Sequence, residues 1–342
     1  MRFQIRTVLL AALIVGALVG LAAPVGAETP SEDVPECSFP VSETDATDTT
    51  VTIEERPERI VVLQPSAAQT VWELDAADRV VGAPVVTYTE YLEGIDGKAN
   101  VLNADEFSVN QEAVVELEAD LVLAPNIVPD DTVSSLREAD QTVFKFGFGT
   151  SLEFVAEKTE RTGRLIGSCA EAAETNEQYW DRIDAVRDGT DEYGSPEVLY
   201  YTDGFGAGSG TFIDEIITTA GGVNVAAENG IEGYGEINEE ALVEWDPDVI
   251  LLSDDGPGIP DSEAFDSTFA ARNDQVAAVN GNYISQPAPR IALALEEVAA
   301  VLAEAETAEK STDEAVEDQA GFGVVVASIA LLSTALLARR FR

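Results

Sequence analysis

The sequence predicts an α/β protein of two similar lobes joined by a long helical connector, with a ligand cleft between the lobes. Three features predict it. The stretches NQEAVVELEADLVLA (110–124) and NEEALVEWDPDVILL (238–252) lie 128 residues apart and share 7 of 15 positions. Around each, apolar strand-like runs alternate with helix-patterned segments, as in sheets covered by helices. Between the lobes, from 151 to 190, apolar positions recur at helical spacing and no strand pattern appears. Two packed lobes leave a cleft, a common place for ligands.

The first lobe is expected over 37–150. FPVSETDATDTTVTIEERP (39–57) alternates around a turn-like DATD and reads as a β-hairpin. RIVVLQPSAAQTVWEL begins with a strand at 60–63, and Ser66 with Gln69 makes a capping-box pattern for the next helix. RVVGAPV (79–85) is a strand, the first twin is a short helix running into a strand, TVSSLREAD is a helix and TVFKFGF a strand. The connector, 151–190, opens near Thr150-x-x-Glu153, meets a breaker at Gly167 and resumes over 170–188. A helix at this place is stiff, unlike a Gly/Ser linker.

The second lobe, 191–305, repeats the plan. EVLYYTD (197–203) is a strand and GFGAGSG (204–210) a Gly-rich loop. TFIDEIITTAGG is a helix capped by Thr211 and stopped by glycine. The second twin is again helix then strand. GNYISQPAP (281–289) reads as a last strand and turn, and RIALALEEVAAVLAEA (290–305) as a closing amphipathic helix.

Composition narrows the chemistry. The 342 residues hold 64 acidic and 19 basic side chains and no histidine, for a formal net charge of -45. Such a surface repels itself at low salt; at 1 M salt the screening length falls to about 3 Å and the repulsion fades. The chain therefore reads as one made for a very salty medium. No basic patch exists to neutralise phosphates, so nucleic acid is excluded as a partner. Without histidine there is no Ser-His-Asp triad, no His-ligated zinc and no His-ligated haem; no metal site and no cofactor are expected. GFGAGSG lacks the GxGxxG spacing and has no P-loop lysine, so an enzyme is not expected.

Both ends carry addresses. Residues 1–27 read as a signal peptide: Arg2 and Arg6, an apolar core, then VGA. Residues 306–319 form an acidic stalk. Residues 320–342 hold 18 uncharged positions (321–338) followed by RRFR, enough to reach across a bilayer with the arginines inside. This tail resembles the C-terminal sorting signals of archaeal surface proteins, with Ala320-Gly321-Phe322 where that signal has Pro-Gly-Phe. Whether the tail is exchanged for lipid or stays as a span, the resemblance implies a protein tethered to the membrane, outside the cell. An exterior location permits a disulfide. Only Cys37 and Cys169 are available, so an intramolecular bridge joins these two; the alternative is two unpaired thiols.

From 39 to 305 the chain resembles the binding proteins of the cobalamin and iron-siderophore class, which feed ABC importers. The matching runs are PERIVVLQPSAAQTVWELDAADRVVGAP, NQEAVVELEADLVLAPN, GSGTFIDEIITTAGGVNV, EALVEWDPDVILL and APRIALALEEV, in the family's order and spacing. The resemblance implies central sheets in both lobes, one long backbone helix between them and a ligand in the cleft. It also implies a role for the twins: one glutamate per lobe docks into arginines of the importer's permease. By position these are Glu112 and Glu240, each just after an asparagine cap. Gln69 stands where the family commonly has glutamate.

Expected ligand residues are Gln64, Pro65, Tyr88 and Tyr91 from the first lobe and Phe205, Tyr234 and Gln286 from the second. Tyr88 and Tyr234 fall at positions where cobalamin binders place ring-contacting aromatics, and aromatic faces suit a large planar ligand. A corrinoid ranks first because it is large, nearly neutral and rich in amides. A ferric hydroxamate siderophore ranks second, and haem through a tyrosinate ligand follows. A surface structural or adhesion protein is the remaining rival; it would need neither paired glutamates nor a cleft.

Overall fold

The computed structural model describes residues 36–105, 107–190, 194–305 and 307. The expected signal peptide (1–27), acidic stalk (306–319, apart from Thr307) and anchor (320–342) lie outside the described residues.

The first lobe opens with an antiparallel hairpin, β1 (Val41–Thr44) and β2 (Thr50–Ile53). The chain then alternates strand and helix: β3 (Ile60–Val62), α1 (Pro65–Glu73), β4 (Val80–Ala83), β5 (Ala99–Asn100), α2 (Gln111–Glu116), β6 (Leu121–Ala124), α3 (Asp130–Glu138) and β7 (Val143–Lys145). Strands β3 to β7 form one parallel sheet in the order β5-β4-β3-β6-β7. Successive residues feed opposite faces: Ile60, Leu121 and Leu123 enter one apolar cluster, Val61, Val122 and Ala124 the other. Strands buried on both sides read as continuous apolar runs because no face meets water.

Two helices form the connector, α4 (Leu152–Ile166) and α5 (Cys169–Gly189). Gly167 separates them in the left-handed region, at φ 73°, which glycine enters without steric cost. Each helix spans both lobes. On α4, Leu152 and Val155 pack in the second lobe's core, and Leu165 and Ile166 in the first lobe's. On α5, Ala172 belongs to the first and Tyr179 and Ile183 to the second. The connector is thus a helical hairpin, and its core packing fixes the lobes to each other.

The second lobe follows as β8 (Glu197–Thr202), β9 (Phe205–Ala207), α6 (Phe212–Thr219), β10 (Val223–Asn224), α7 (Val225–Glu228), β11 (Tyr234–Glu236), α8 (Glu239–Trp245), β12 (Val249–Ser253), α9 (Glu263–Asp266), α10 (Phe269–Arg272), β13 (Val276–Val279), α11 (Gly281–Ile284) and α12 (Ile291–Ala303). Its sheet runs β11-β9-β8-β12-β13, with β10 also paired to β8. Strands β8, β12 and β13 are parallel, whereas β9 and β11 are antiparallel additions.

Four local expectations are corrected. GFGAGSG is no loop: β9 pairs back on β8 through Asp203-Gly204, both at positive φ, as a two-residue hairpin turn requires. Residues 281–284 are helical rather than a strand, because the Asn280 side chain accepts from Tyr283 N and turns the chain; the last strand among the described residues is β13. Ser66 does not cap α1: Gln64 holds the cap position, Pro65 is the first helical residue, and proline's fixed φ suits that place. The connector is capped by Ser151, whose side chain accepts from Phe154 N, rather than by Thr150.

Cys37 and Cys169 are joined by a disulfide with Cα atoms 5.4 Å apart. It ties the first described residues to the start of α5. Beside it, the buried Arg79 guanidinium donates to Pro57 O, Ile166 O and Ser168 Oγ. The connector's turn is held to the first lobe by a covalent bond and a cation together.

Candidate functional site

A cavity of about 500 Å³ lies between the lobes. The first lobe lines it with the segments after β3 (Gln64–Ser66), β6 (Pro125–Ile127) and β7 (Phe148–Thr150), together with Tyr88 and Phe107. Strands β3 and β6 are neighbours from which the sheet extends in opposite directions. Ligands of open α/β sheets bind beyond the carboxyl ends of strands at such a switch point. The second lobe contributes the start of α6 (Gly210–Phe212), Gly233 and Tyr234 at β11, and the strap Ser285–Pro287 before α12.

Among the described residues, no lining side chain carries a formal charge. In a chain with 64 acidic residues this is a marked local exception. The walls are apolar and aromatic and partly open to water: Phe148 is 76% exposed, Phe107 69%, Ile127 66% and Tyr234 59%. Monomers seldom leave such groups together without a function for the patch.

Five of the seven residues expected at the ligand line the cavity: Gln64, Pro65, Tyr88, Tyr234 and Gln286. Tyr91 and Phe205 do not. Tyr91 stands behind the wall, stacked edge-on with Tyr283 and covered by the Arg290 guanidinium. Phe205 lies at the start of β9, outside the cavity. Sequence reasoning missed Asn126, Ile127, Phe148 and Phe212. Asn126 and Ile127 follow the expected strand of the first twin, so the strand-end rule that selected Gln64 would also have found them, whereas Phe148 was counted as the last residue of the strand TVFKFGF. Phe107 had no such signal, since it lies on an irregular loop closed by the Leu102–Val109 bridge.

Behind the cavity a polar network fastens one lobe to the other. Gln69 donates to Tyr91 Oη (2.8 Å), and its carbonyl accepts from Arg290 N (2.8 Å). Tyr91 Oη donates to Gln286 Oε1 (3.2 Å), and Gln286 Nε2 donates to Tyr88 O (3.1 Å). Arg290 pairs with Glu73 at 2.7 Å. Gln69 acts as donor and acceptor at once, which an ionised glutamate could not do. Burial pushes the Tyr91 hydroxyl up to about 12, so it stays a neutral donor at physiological pH.

The twin segments can be compared residue by residue. Asn110 accepts from Ala113 N and Asn238 from Ala241 N, both as helix caps. Asp120 accepts from Arg59 N ahead of β3, and Asp248 from Glu197 N at the start of β8, so each clasps the neighbouring strand. Leu123 and Leu251 are fully buried. Ala113, Val115 and Ala241 are half-buried and Val243 is exposed, and the remaining shared positions, Glu112, Glu116, Glu240 and Glu244, are all exposed carboxylates. Glu239 is engaged by Ser262 Oγ (2.9 Å), whereas Glu240 beside it takes part in none of the described hydrogen bonds or ion pairs.

Taken together, these features define an inter-lobe binding protein: two α/β lobes, a rigid helical connector and an uncharged aromatic cavity. Residues 60–283 match the family model described as periplasmic binding protein, and the chain belongs to that family. It is a substrate-binding protein, not an enzyme. Residues 319–340 match the PGF-CTERM motif, and the protein is secreted and anchored through its C-terminal end at the outer face of the cell membrane. A cobalamin-binding protein of Halobacterium salinarum is 42% identical over 297 residues, covering 82% of this chain and 80% of that relative. The apo periplasmic heme-binding protein RhuT of Roseiflexus is similar at TM-score 0.65 and 25% identity, covering 72% of this chain and 98% of that one. The periplasmic vitamin B12 binding protein of Vibrio cholerae matches at TM-score 0.61 and 22% identity, covering 72% and 96%, and shares the fold.

Proposed function

We propose that the protein captures a corrinoid outside the cell and delivers it to an ABC importer. The observation that carries this reading is the cavity: large, aromatic-walled and without formal charge in a strongly acidic protein. A ferric catecholate is strongly anionic and would call for basic walls. A corrinoid offers a broad ring face for Tyr88, Phe148 and Tyr234 and peripheral amides for Gln64, Asn126 and Gln286. The 42% identity to the Halobacterium cobalamin-binding protein supports the same choice. A ferric hydroxamate carries little charge and is the second reading. Haem, through a tyrosinate such as Tyr88 or Tyr234, is the third reading.

Glu112 and Glu240 are the proposed contacts with the permease. Each occupies the first turn of its helix, where a carboxylate also helps the helix by about 0.3–1 kcal/mol. That benefit does not extend to Glu116 and Glu244. They stand one turn later, where a like-charge pair costs an isolated helix a few tenths of a kcal/mol. Helix stability alone therefore does not account for the repeated pairs, and a cationic partner surface does.

The ligand is tested by calorimetric titration of the full chain, in detergent and molar KCl, with cyanocobalamin and with a ferric hydroxamate. None of Trp72, Trp180 and Trp245 lines the cavity, so heat is a better signal than tryptophan fluorescence. Saturable binding of cyanocobalamin is expected. Binding of the hydroxamate alone would exchange the first reading for the second.

A further inference from the structure

The cavity walls are uncharged, yet a cation lies directly behind the floor. Lys158 of α4 is 5% exposed. Its ammonium donates to Ser66 Oγ (3.2 Å) and to Pro287 O (2.9 Å), and it sits 5.8 Å from the Phe146 ring centroid. Ser66 and Pro287 both line the cavity, one from each lobe. Burying a charge without a counter-charge is costly, and proteins ordinarily place a carboxylate beside it. This chain has 64 acidic residues, and among the described residues none pairs with Lys158.

Ser66 shows where the missing charge belongs. Its oxygen accepts from Lys158, so its own proton is free to be donated, and the residue faces the cavity while only 8% exposed. The backbone adds to this. Pro65 has no N–H, and the first donors into the α1 ladder are Ala67 and Ala68, both to Gln64 O, which leaves Ser66 N–H outside it. The floor thus presents a hydroxyl donor and the positive end of α1, with an ammonium behind them.

We propose that the cavity floor at Ser66 is a subsite for one oxyanion, a phosphodiester or carboxylate carried by an otherwise neutral ligand, with Lys158 as counter-charge through the Ser66 hydroxyl. The proposal rests on the corrinoid reading for the rest of the ligand. It gives the uncharged cleft a single polarity, so that one end of the ligand is directed to the floor. Lys158 is a positioning residue, since it acts through Ser66.

Proton uptake follows. Burial, the only cause acting on it, lowers the Lys158 ammonium to about 7. An oxyanion nearby favours the charged form, so at pH 8 the neutral amine takes a proton from the buffer as the ligand binds. Of the other ionisable groups at the lobe boundary, Tyr91 stays neutral and Arg290 pairs with Glu73, while Tyr88 and Tyr234 face the ring that both probes below share, so any proton they exchange cancels between the probes.

The test is calorimetry of the full chain at pH 8 in molar KCl, in buffers of different ionisation enthalpy. The probes are cyanocobalamin, which carries one phosphodiester, and dicyanocobinamide, which has the same ring and none. Uptake of about half a proton or more is expected with cyanocobalamin and none with the cobinamide. Lys158→Met and Ser66→Ala should abolish the uptake and weaken cyanocobalamin about tenfold, the size of one charge-assisted hydrogen bond, and weaken the cobinamide by much less. Lys158→Arg should keep affinity without uptake. Equal uptake for both probes, or unchanged cyanocobalamin affinity in Lys158→Met, overturns the subsite. If neither corrinoid binds, the ligand reading fails and the floor is judged separately with dimethyl phosphate. The chain has only Lys98, Lys145, Lys158 and Lys310, so the Lys158 side chain can be followed by NMR. A rise in its pKa with that anion supports the subsite, and an unmoved pKa rejects it.

Discussion

The two lobes share a repeat yet reach the cleft by different routes. The first does so in the manner of an open parallel sheet, with three loops following the carboxyl ends of β3, β6 and β7. The second lobe's wall comes from the antiparallel additions around β9 and β11, the start of α6 and the strap before α12. They are also secured differently. The first lobe has the Cys37–Cys169 bridge and buried Arg79, whereas the second relies on its apolar cluster around Val249, Leu251 and α12. Where the parallel rule holds, the binding wall follows from strand positions. Where antiparallel strands are added, it depends on a hairpin turn two residues long.

The largest expected effect breaks the difference in fastening. The bridge closes a loop of 132 residues, and in the chain-entropy model such a loop contributes about 5 kcal/mol. The double variant Cys37→Ser/Cys169→Ser should lose up to that amount in denaturant unfolding at molar KCl. The first lobe's amides should lose hydrogen-exchange protection before the second's. Uniform loss across both lobes would show that the lobes unfold as one unit.

The next effect concerns what the lobes have in common. Glu112→Ala or Glu240→Ala should each reduce ligand uptake by whole cells by roughly thirtyfold or more, the cost of about 2 kcal/mol or above for removing one partner of an interfacial charge pair. Ligand affinity of the isolated variants should not change, because neither residue lines the cavity. Full uptake in both variants would remove the docking role.

The smallest effect tests whether the lobes share a salt response. Asp140 follows α3 and Asp274 follows α10, both at positive φ (59° and 57°), at a position usually given to glycine or asparagine. There a carboxylate meets the negative end of the helix and a left-handed backbone, together unfavourable by about 2 kcal/mol, of which glycine's greater loss of chain entropy would offset about half. Asp140→Gly and Asp274→Gly should each raise stability by about 1 kcal/mol at low salt and by less in molar KCl, where the charge is screened. Equal gains at both salt levels would assign the whole effect to the backbone.

Much of this was legible in the sequence, for identifiable reasons. Ile60–Val62 and Leu121–Ala124 are buried on both faces, so their apolar runs are unbroken. Asn110, Asn238 and Thr211 cap helices through side-chain oxygens a few residues away, a local chemistry that patterns reveal. Failures came where a local signal had two readings. Glycines at 204–210 look like a loop, but Asp203-Gly204 is the signal of a hairpin. Ser66 looks like a cap, but the proline before it starts the helix, and the serine is held by a lysine 92 residues away.

The sequence alone determined the number of lobes, the covered strands, the helix starts, the acidic character of the surface and the pair of repeated glutamates. Each of these depends on periodicity, capping or composition, which act over a few residues. Only the tertiary structure decided that Tyr91 supports the wall instead of forming it, that Phe107 and Phe148 face the ligand space, and that Lys158 stands uncompensated beneath Ser66. These outcomes depend on which side chains meet across the lobe boundary. Lys158 and Ser66 meet because α4 crosses from one lobe's core to the other's, a consequence of packing that spacing along the chain does not encode.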